Sequence, residues 1–69
     1  MHIIWHRGVI VANGNIVATY SEDGNDYIVR AEPRFERALG FHEQVAVGKK
    51  RHCINGKIKE ALKEGASHA

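Results

Sequence analysis

The chain has 69 residues, of which 43% are hydrophobic and 26% are charged, and its formal net charge is +2. These proportions are typical of a small globular domain and exclude a disordered chain, which would be less apolar and more highly charged. The single cysteine, Cys53, excludes an internal disulfide. We therefore predict one domain over residues 1–65 and a frayed tail over residues 66–69. Homodimerisation is expected to help so small a core.

The N-terminus does not have the pattern of a signal peptide, which needs a basic start, a long apolar run and a small-residue cleavage site. The longest apolar run, residues 9–12, is far shorter than the ~18 residues of a membrane-spanning helix. Together with the lone cysteine, this predicts a cytoplasmic protein that does not enter a membrane.

The N-terminal half predicts an antiparallel meander. Residues 3–12 are rich in β-branched side chains and predict one long strand, with a bulge or a close backbone approach at Gly8. Asn13 and Gly14 predict a type I′ hairpin turn, because both central positions of that turn need positive φ. Strands are expected over residues 15–20 and 27–32, joined by a polar turn.

Pro33 is predicted to end the sheet and to begin a short helix over residues 34–39. Gly40 is expected to cap that helix. A fourth strand is predicted over residues 43–47.

The C-terminal segment predicts a helix that packs on the sheet, because apolar residues recur at helical spacing at Ile54, Ile58, Ala61 and Leu62. Asn55 is expected to cap its start and Gly65 its end. The predicted fold is α+β, with a three- to four-stranded antiparallel sheet, a short connecting helix and a C-terminal helix. The alternative is a small OB-like β-barrel.

The charges are unevenly distributed. Residues 1–47 carry four Lys/Arg and six Asp/Glu, whereas residues 48–69 carry six and two. This asymmetry indicates either an anionic partner or self-association by charge complementarity. A cationic loop that enters a helix suits phosphate groups, since helix N-terminal amides add further donors. We predict that nucleic acid, DNA or RNA, is contacted by Lys49, Lys50, Arg51, Lys57 and Lys59.

Aromatic residues extend this hypothesis. Tyr20 and Tyr27 flank the second predicted turn and are expected to lie opposite each other across the hairpin. With Trp5 they would form a platform on which bases stack. The second interpretation is that these aromatic residues belong to the core, which a domain this small needs.

No group of residues predicts an enzyme, a metal site or a cofactor site. His2 and His6 would lie ~13 Å apart on a strand, too far to chelate one ion. Cys53 beside His52 has the chemistry of an activated thiolate, but no third, orienting group is identifiable. Cys53 is instead expected to be a small buried side chain at the start of the helix.

Two family resemblances bear on the fold. From Arg7 onward, the predicted order of strands and short helix, with residues 8–11 and 56–58, is similar to the small OB-fold proteins of translation. That resemblance implies single-stranded RNA binding on a barrel face, but residues 58–64 predict a helix where the fifth strand is expected.

Residues 20–29, followed by Pro33, resemble the hairpin of HicB-type antitoxins, and residues 59–63 resemble their later helix. The motif that links the two is missing, so neither family is assigned. The leading prediction is a small nucleic-acid-binding or regulatory protein that uses the basic loop–helix segment. The alternative is a protein-interaction module, a small inhibitor or antitoxin-like adaptor, that binds a larger protein through a strand edge or apolar patch.

Overall fold

Five antiparallel strands form one sheet in which each strand pairs with its neighbour in the chain. The computed structural model describes the backbone of residues 2–67 and the side chains of residues 2–63. The strands are β1 (Ile3–His6), β2 (Val9–Ala12), β3 (Asn15–Asp23), β4 (Asp26–Ala31) and β5 (Glu43–Ala46). The predicted α+β class is confirmed, but the sheet has five strands instead of three or four.

The additional strand arises because the single strand predicted over residues 3–12 is folded back on itself. Arg7 and Gly8 have φ values of 49° and 82°, and His6 pairs with Val9. These two residues are therefore the centre of a hairpin turn of the type that needs two positive φ values. Of the two alternatives predicted at Gly8, the bulge is wrong and the close backbone approach is confirmed. A Cβ atom there would lie 3.4 Å from the carbonyl oxygen of Tyr20, whose amide donates to the Gly8 carbonyl over 2.9 Å. Arginine gives little sequence signal for positive φ, because side chains other than Asn, Asp and His rarely adopt it.

The next two turns of the sheet lie within the two polar segments that were predicted to form turns. Asn13 and Gly14 both have positive φ and join β2 to β3, as predicted. The polar segment that follows is mostly strand, since only two residues separate the end of β3 from the start of β4. Tyr20 pairs with Val29 and not with Tyr27, so the two tyrosines are diagonal neighbours across the hairpin.

The helices lie after β4 and after β5. A 3-10 turn (Pro33–Phe35) leads into α1 (Glu36–Leu39), and a second 3-10 turn (Val47–Lys49) precedes α2 (His52–Ser67). Gly40, with φ of 80°, caps α1 as predicted. No helix in the described part of the chain is long and apolar enough to cross a membrane.

The start and end predicted for the C-terminal helix are wrong. α2 begins at His52, before Asn55, and it continues through Gly56 and Gly65. Ile54 and Ile58 are both 0% exposed on the inner side of α2. Burying such a side chain stabilises by ~1.5–3 kcal/mol, more than the ~1 kcal/mol that a helical glycine costs. Residues 66 and 67 of the predicted tail are helical, and residues 68 and 69 lie outside the described residues.

The core lies between α2 and one face of the sheet. Among the described residues, the buried apolar side chains are Ile10, Ala12, Val17, Ala18, Tyr27, Val29, Ala31, Leu39, Ala46, Ile54 and Ile58. Since the C-terminal segment is a helix and not a closing strand, β1 and β5 remain edges of an open sheet. The OB-like barrel alternative is therefore wrong.

Candidate functional site

Three aromatic side chains meet on the side of the sheet that faces α2, and they are named here the aromatic cluster (Trp5, Tyr20 and Tyr27). The centroid of the Trp5 ring lies 4.9 Å from that of Tyr20 and 5.6 Å from that of Tyr27. The two tyrosine centroids are 5.1 Å apart. Tyr27 is only 7% exposed, whereas Trp5 and Tyr20 are half-buried. The cluster thus has an inner member that belongs to the core and two members that solvent reaches.

The sheet register places these rings together. Trp5 pairs with the buried Ile10, and Tyr20 pairs with the buried Val29, so both rings share the face that packs on α2. The indole N–H of Trp5 also donates to Oδ1 of Asn55 over 2.8 Å. This bond joins β1 to the first turns of α2. It gives Asn55 a role that helix-capping reasoning missed, because no local sequence signal connects residues 50 positions apart.

Two cations lie at the rim of the aromatic cluster. The guanidinium carbon of Arg51 is 5.6 Å from the Trp5 ring centroid and 5.7 Å from that of Tyr27. Nη2 of Arg51 also donates to the Tyr27 hydroxyl over 3.3 Å. The same hydrogen bond raises the pKa of Arg51, so the guanidinium stays charged. Nζ of Lys49 lies 5.6 Å from the Tyr27 centroid.

The other predicted phosphate contacts are divided between two sides of α2. Lys57 Nζ donates to Oε1 of Gln44 over 2.8 Å, and lies 5.5 Å from the Phe41 ring centroid, on the β5 side. Lys59 is two positions further along, roughly 200° around the helix axis at 3.6 residues per turn. It lies one turn after Asn55, on the side of α2 that faces Trp5, and it is exposed. The predicted set of five cations therefore does not form one surface.

The basic segment is held against an acidic hairpin. The backbone amide of Gly48 donates to Oδ1 of Asp26 over 2.8 Å, and Lys49 Nζ is 3.6 Å from Oε1 of Glu22. Both carboxylates belong to the end of the hairpin formed by β3 and β4. Part of the positive charge of the basic segment is thus paired with carboxylates of the same chain. Lys50 and Arg51 are therefore more available to an anionic ligand than Lys49.

Cys53 is a free and exposed thiol, so the prediction that it is buried is wrong. Because α2 begins at His52, its inner face is that of Ile54 and Ile58, and Cys53 is turned away from it. It lines a groove of about 510 Å³ between α1 and α2. Among the residues that the structure describes, no three His, Cys, Asp or Glu side chains are grouped closely enough to hold a metal ion.

Comparisons of the chain with protein-family models, curated proteins and solved structures gave no match. The chemistry of the side chains is therefore the basis for inferring a function. Half-buried aromatic rings with cations at their rim suit a ligand that is both planar and anionic.

Proposed function

We propose that this chain is a small regulatory protein that binds single-stranded nucleic acid at the aromatic cluster and the cations beside it. The observation that carries the proposal is the position of Arg51, whose guanidinium carbon lies within 5.7 Å of the centroids of both Trp5 and Tyr27. A stacking surface and a phosphate-binding cation thus occupy one place. Single strands are favoured over duplexes because only unpaired bases can stack on aromatic side chains.

The roles divide according to exposure. Trp5 and Tyr20 are half-buried and offer the stacking surfaces, each worth ~1–3 kcal/mol per stacked base. Tyr27 is nearly buried, so it positions Arg51 through its hydroxyl group instead of stacking. Lys50, Arg51 and Lys59 contact phosphates. Lys57 lies on the opposite side of α2 and does not belong to the proposed site.

The acidic hairpin limits the affinity. Glu22 lies 3.6 Å from Lys49 and partly neutralises it, and its own charge repels phosphates near the cluster. We therefore expect Lys49 to contribute little in the wild-type protein. Replacing Glu22 with Gln keeps the side-chain shape, removes one negative charge and releases Lys49, which should strengthen binding.

The test uses the single tryptophan of the chain as its probe. Because Trp5 is in the proposed site, a stacked base should quench its fluorescence. Oligonucleotides of single-stranded DNA, single-stranded RNA and duplex DNA are titrated at two salt concentrations. Three phosphate contacts on a single strand predict that log K falls by about 2 for each log unit of salt.

A pair of charge-matched variants makes the test specific. Arg51→Ala should weaken binding about tenfold, equivalent to ~1.4 kcal/mol, and should make the salt dependence less steep. Lys57→Ala removes the same charge from the opposite side of α2 and should leave binding unchanged. The proposal is wrong if no oligonucleotide binds at low salt, or if the two variants weaken binding equally.

The absence of catalysis and the cytoplasmic location stay predictions. The alternative function, a module that binds a larger protein, also stays a prediction, and in this fold it would use a surface other than the aromatic cluster.

A further inference from the structure

The face of the sheet that points away from α2 carries apolar side chains in solvent. Ile4 pairs with Val11 and Val11 pairs with Ile16, so three apolar residues form a row across β1, β2 and β3. Ile28 and Val45 form a second pair across β4 and β5. We name this surface the outer face (Ile4, Val9, Val11, Ile16, Ile28 and Val45).

The outer face is not covered within the described residues. Ile4, Ile16 and Val45 are 48%, 42% and 45% exposed, although they lie in regular strands of the sheet. Single exposed apolar residues are ordinary on protein surfaces, but adjacent ones are typical of an interaction site. The outer face has two such groups, the row of three in β1–β3 and the pair in β4–β5, with a largely polar row between them. The uncovered apolar residues therefore indicate that another molecule binds to this face.

The charges on this face indicate which kind of molecule binds to it. A row across the middle of the sheet contains only two formally charged side chains, Arg30 and Glu43, and these form an ion pair at 3.0 Å. His6 and Thr19 complete the polar part of the row. The middle of the outer face thus carries no net charge when His6 is neutral, and the register places two further charges of this face, Asp23 and Asp26, at the end of the β3–β4 hairpin. A nucleic acid or an anionic membrane would find no complementary charge on this face.

We propose that the outer face binds the outer face of a second copy of this chain. In a two-fold symmetric contact the same patch meets itself, so the patch must be self-complementary. The outer face meets this condition when the strands of the two copies run antiparallel, because the Arg30–Glu43 pair is satisfied within each copy and the hairpin ends that carry Asp23 and Asp26 then lie at opposite ends of the contact.

The area of the outer face indicates how tightly two copies would bind. Five strands spaced ~4.8 Å apart, averaging five to six residues at ~3.3 Å each, cover roughly 24 by 18 Å. Two such faces bury roughly 860 Å² in total, less than the ~1,200–2,000 Å² of stable specific interfaces, so the contact is a weak one. The dimer should therefore dissociate on dilution. A dimer would also stabilise a small core, because the chain has only one cysteine and four of the buried apolar residues in the described part of the chain are alanines.

Sedimentation velocity of the wild-type chain, from micromolar to millimolar concentration, should show a reversible monomer–dimer equilibrium. Ile16→Glu and Ile4→Glu each place like charges at the contact and should weaken the dimer more than about tenfold. Val47→Glu is the matched control, because Val47 is 70% exposed but lies outside the sheet, and this variant should dimerise like the wild type. Far-UV circular dichroism and urea unfolding establish that each variant is folded.

A cross-linking measurement keeps the proposal testable if the glutamate variants do not fold. Thr19→Cys in a Cys53→Ser background places one thiol on the outer face. Sheets packed face to face are ~10 Å apart, so a short bismaleimide should link two copies. Val47→Cys in the same background should not cross-link.

A wild-type chain that stays monomeric to millimolar concentration overturns the proposal. So does a dimer that Ile16→Glu leaves intact in its folded form, or that Val47→Glu weakens equally. Arg51→Ala should dimerise like the wild type, so this proposal and that of nucleic-acid binding fail separately.

Discussion

Two glycines of this fold occupy similar open space, but their backbones differ, so the same substitution should change stability in opposite directions. A Cβ atom added to Gly56 or to Gly40 would meet no heavy atom within 4 Å. Gly56 lies inside α2 without positive φ, whereas Gly40 has φ of 80° at the end of α1. Only backbone conformation therefore distinguishes the two sites.

The magnitudes follow from helix propensity and from the left-handed conformation. Gly56→Ala should raise the free energy of unfolding by ~1 kcal/mol, because alanine loses less backbone entropy in a helix. Gly40→Ala should lower it by ~1–2 kcal/mol, the cost of an L-residue in the left-handed region. In a chain of this size, ~1 kcal/mol shifts Tm by about 4–8 °C.

Thermal and urea unfolding followed by circular dichroism measure both changes, and the urea m-value should stay constant if only the folded state is affected. The experiment also decides between two positions for the start of α2. If Gly56→Ala lowers Tm, the helix does not run through this residue and begins at or after it, as the sequence pattern of Asn55 and Gly56 indicated. If Gly40→Ala is neutral, the left-handed cap is wrong.

Two further predictions concern the contacts that hold α2 on the sheet. Asn55→Ala leaves the indole N–H of Trp5 without its acceptor and should cost ~1–2 kcal/mol in urea unfolding, whereas Asn55→Asp keeps an acceptor and should recover most of the loss; equal losses would contradict a role for this bond. Ile58→Ala empties a fully buried site and should cost ~3 kcal/mol, a third or more of the stability of so small a domain. The same truncation at the half-buried Leu62 should cost less than half as much, and a comparable loss at both sites would contradict the position of the core.

The parts of the fold that were predictable depend on neighbouring residues. Asn13 and Gly14 form the predicted turn because they tolerate positive φ, and Gly40 caps α1 for the same reason. The spacing of Ile54 and Ile58 correctly predicted which side of α2 is buried. The turn at Arg7 and Gly8 was missed because arginine is uncommon at positive φ and the flanking residues favour an uninterrupted strand.

The candidate site was predicted as a set of residue types but not as an arrangement. Tyr20, Tyr27 and Trp5 were expected to lie near one another, yet the pairing of Tyr20 with Val29 makes the two tyrosines diagonal and leaves Tyr27 nearly buried. Sequence spacing did not indicate this, since the register of a hairpin changes when its turn moves by one residue.

The sequence by itself determined the α+β class, two of the turns, the cap of α1 and the apolar side of α2, because each depends on dihedral preferences or periodicity within a few residues. Only the tertiary structure decided which cations remain available. The packing of Ile54 and Ile58 fixes the rotation of α2, which places Lys57 beside Gln44 and Lys59 on the side of Trp5. The pairing of β3 with β4 brings Glu22 to Lys49. Such contacts join residues distant in the chain, so they depend on burial and strand register and have no local signature.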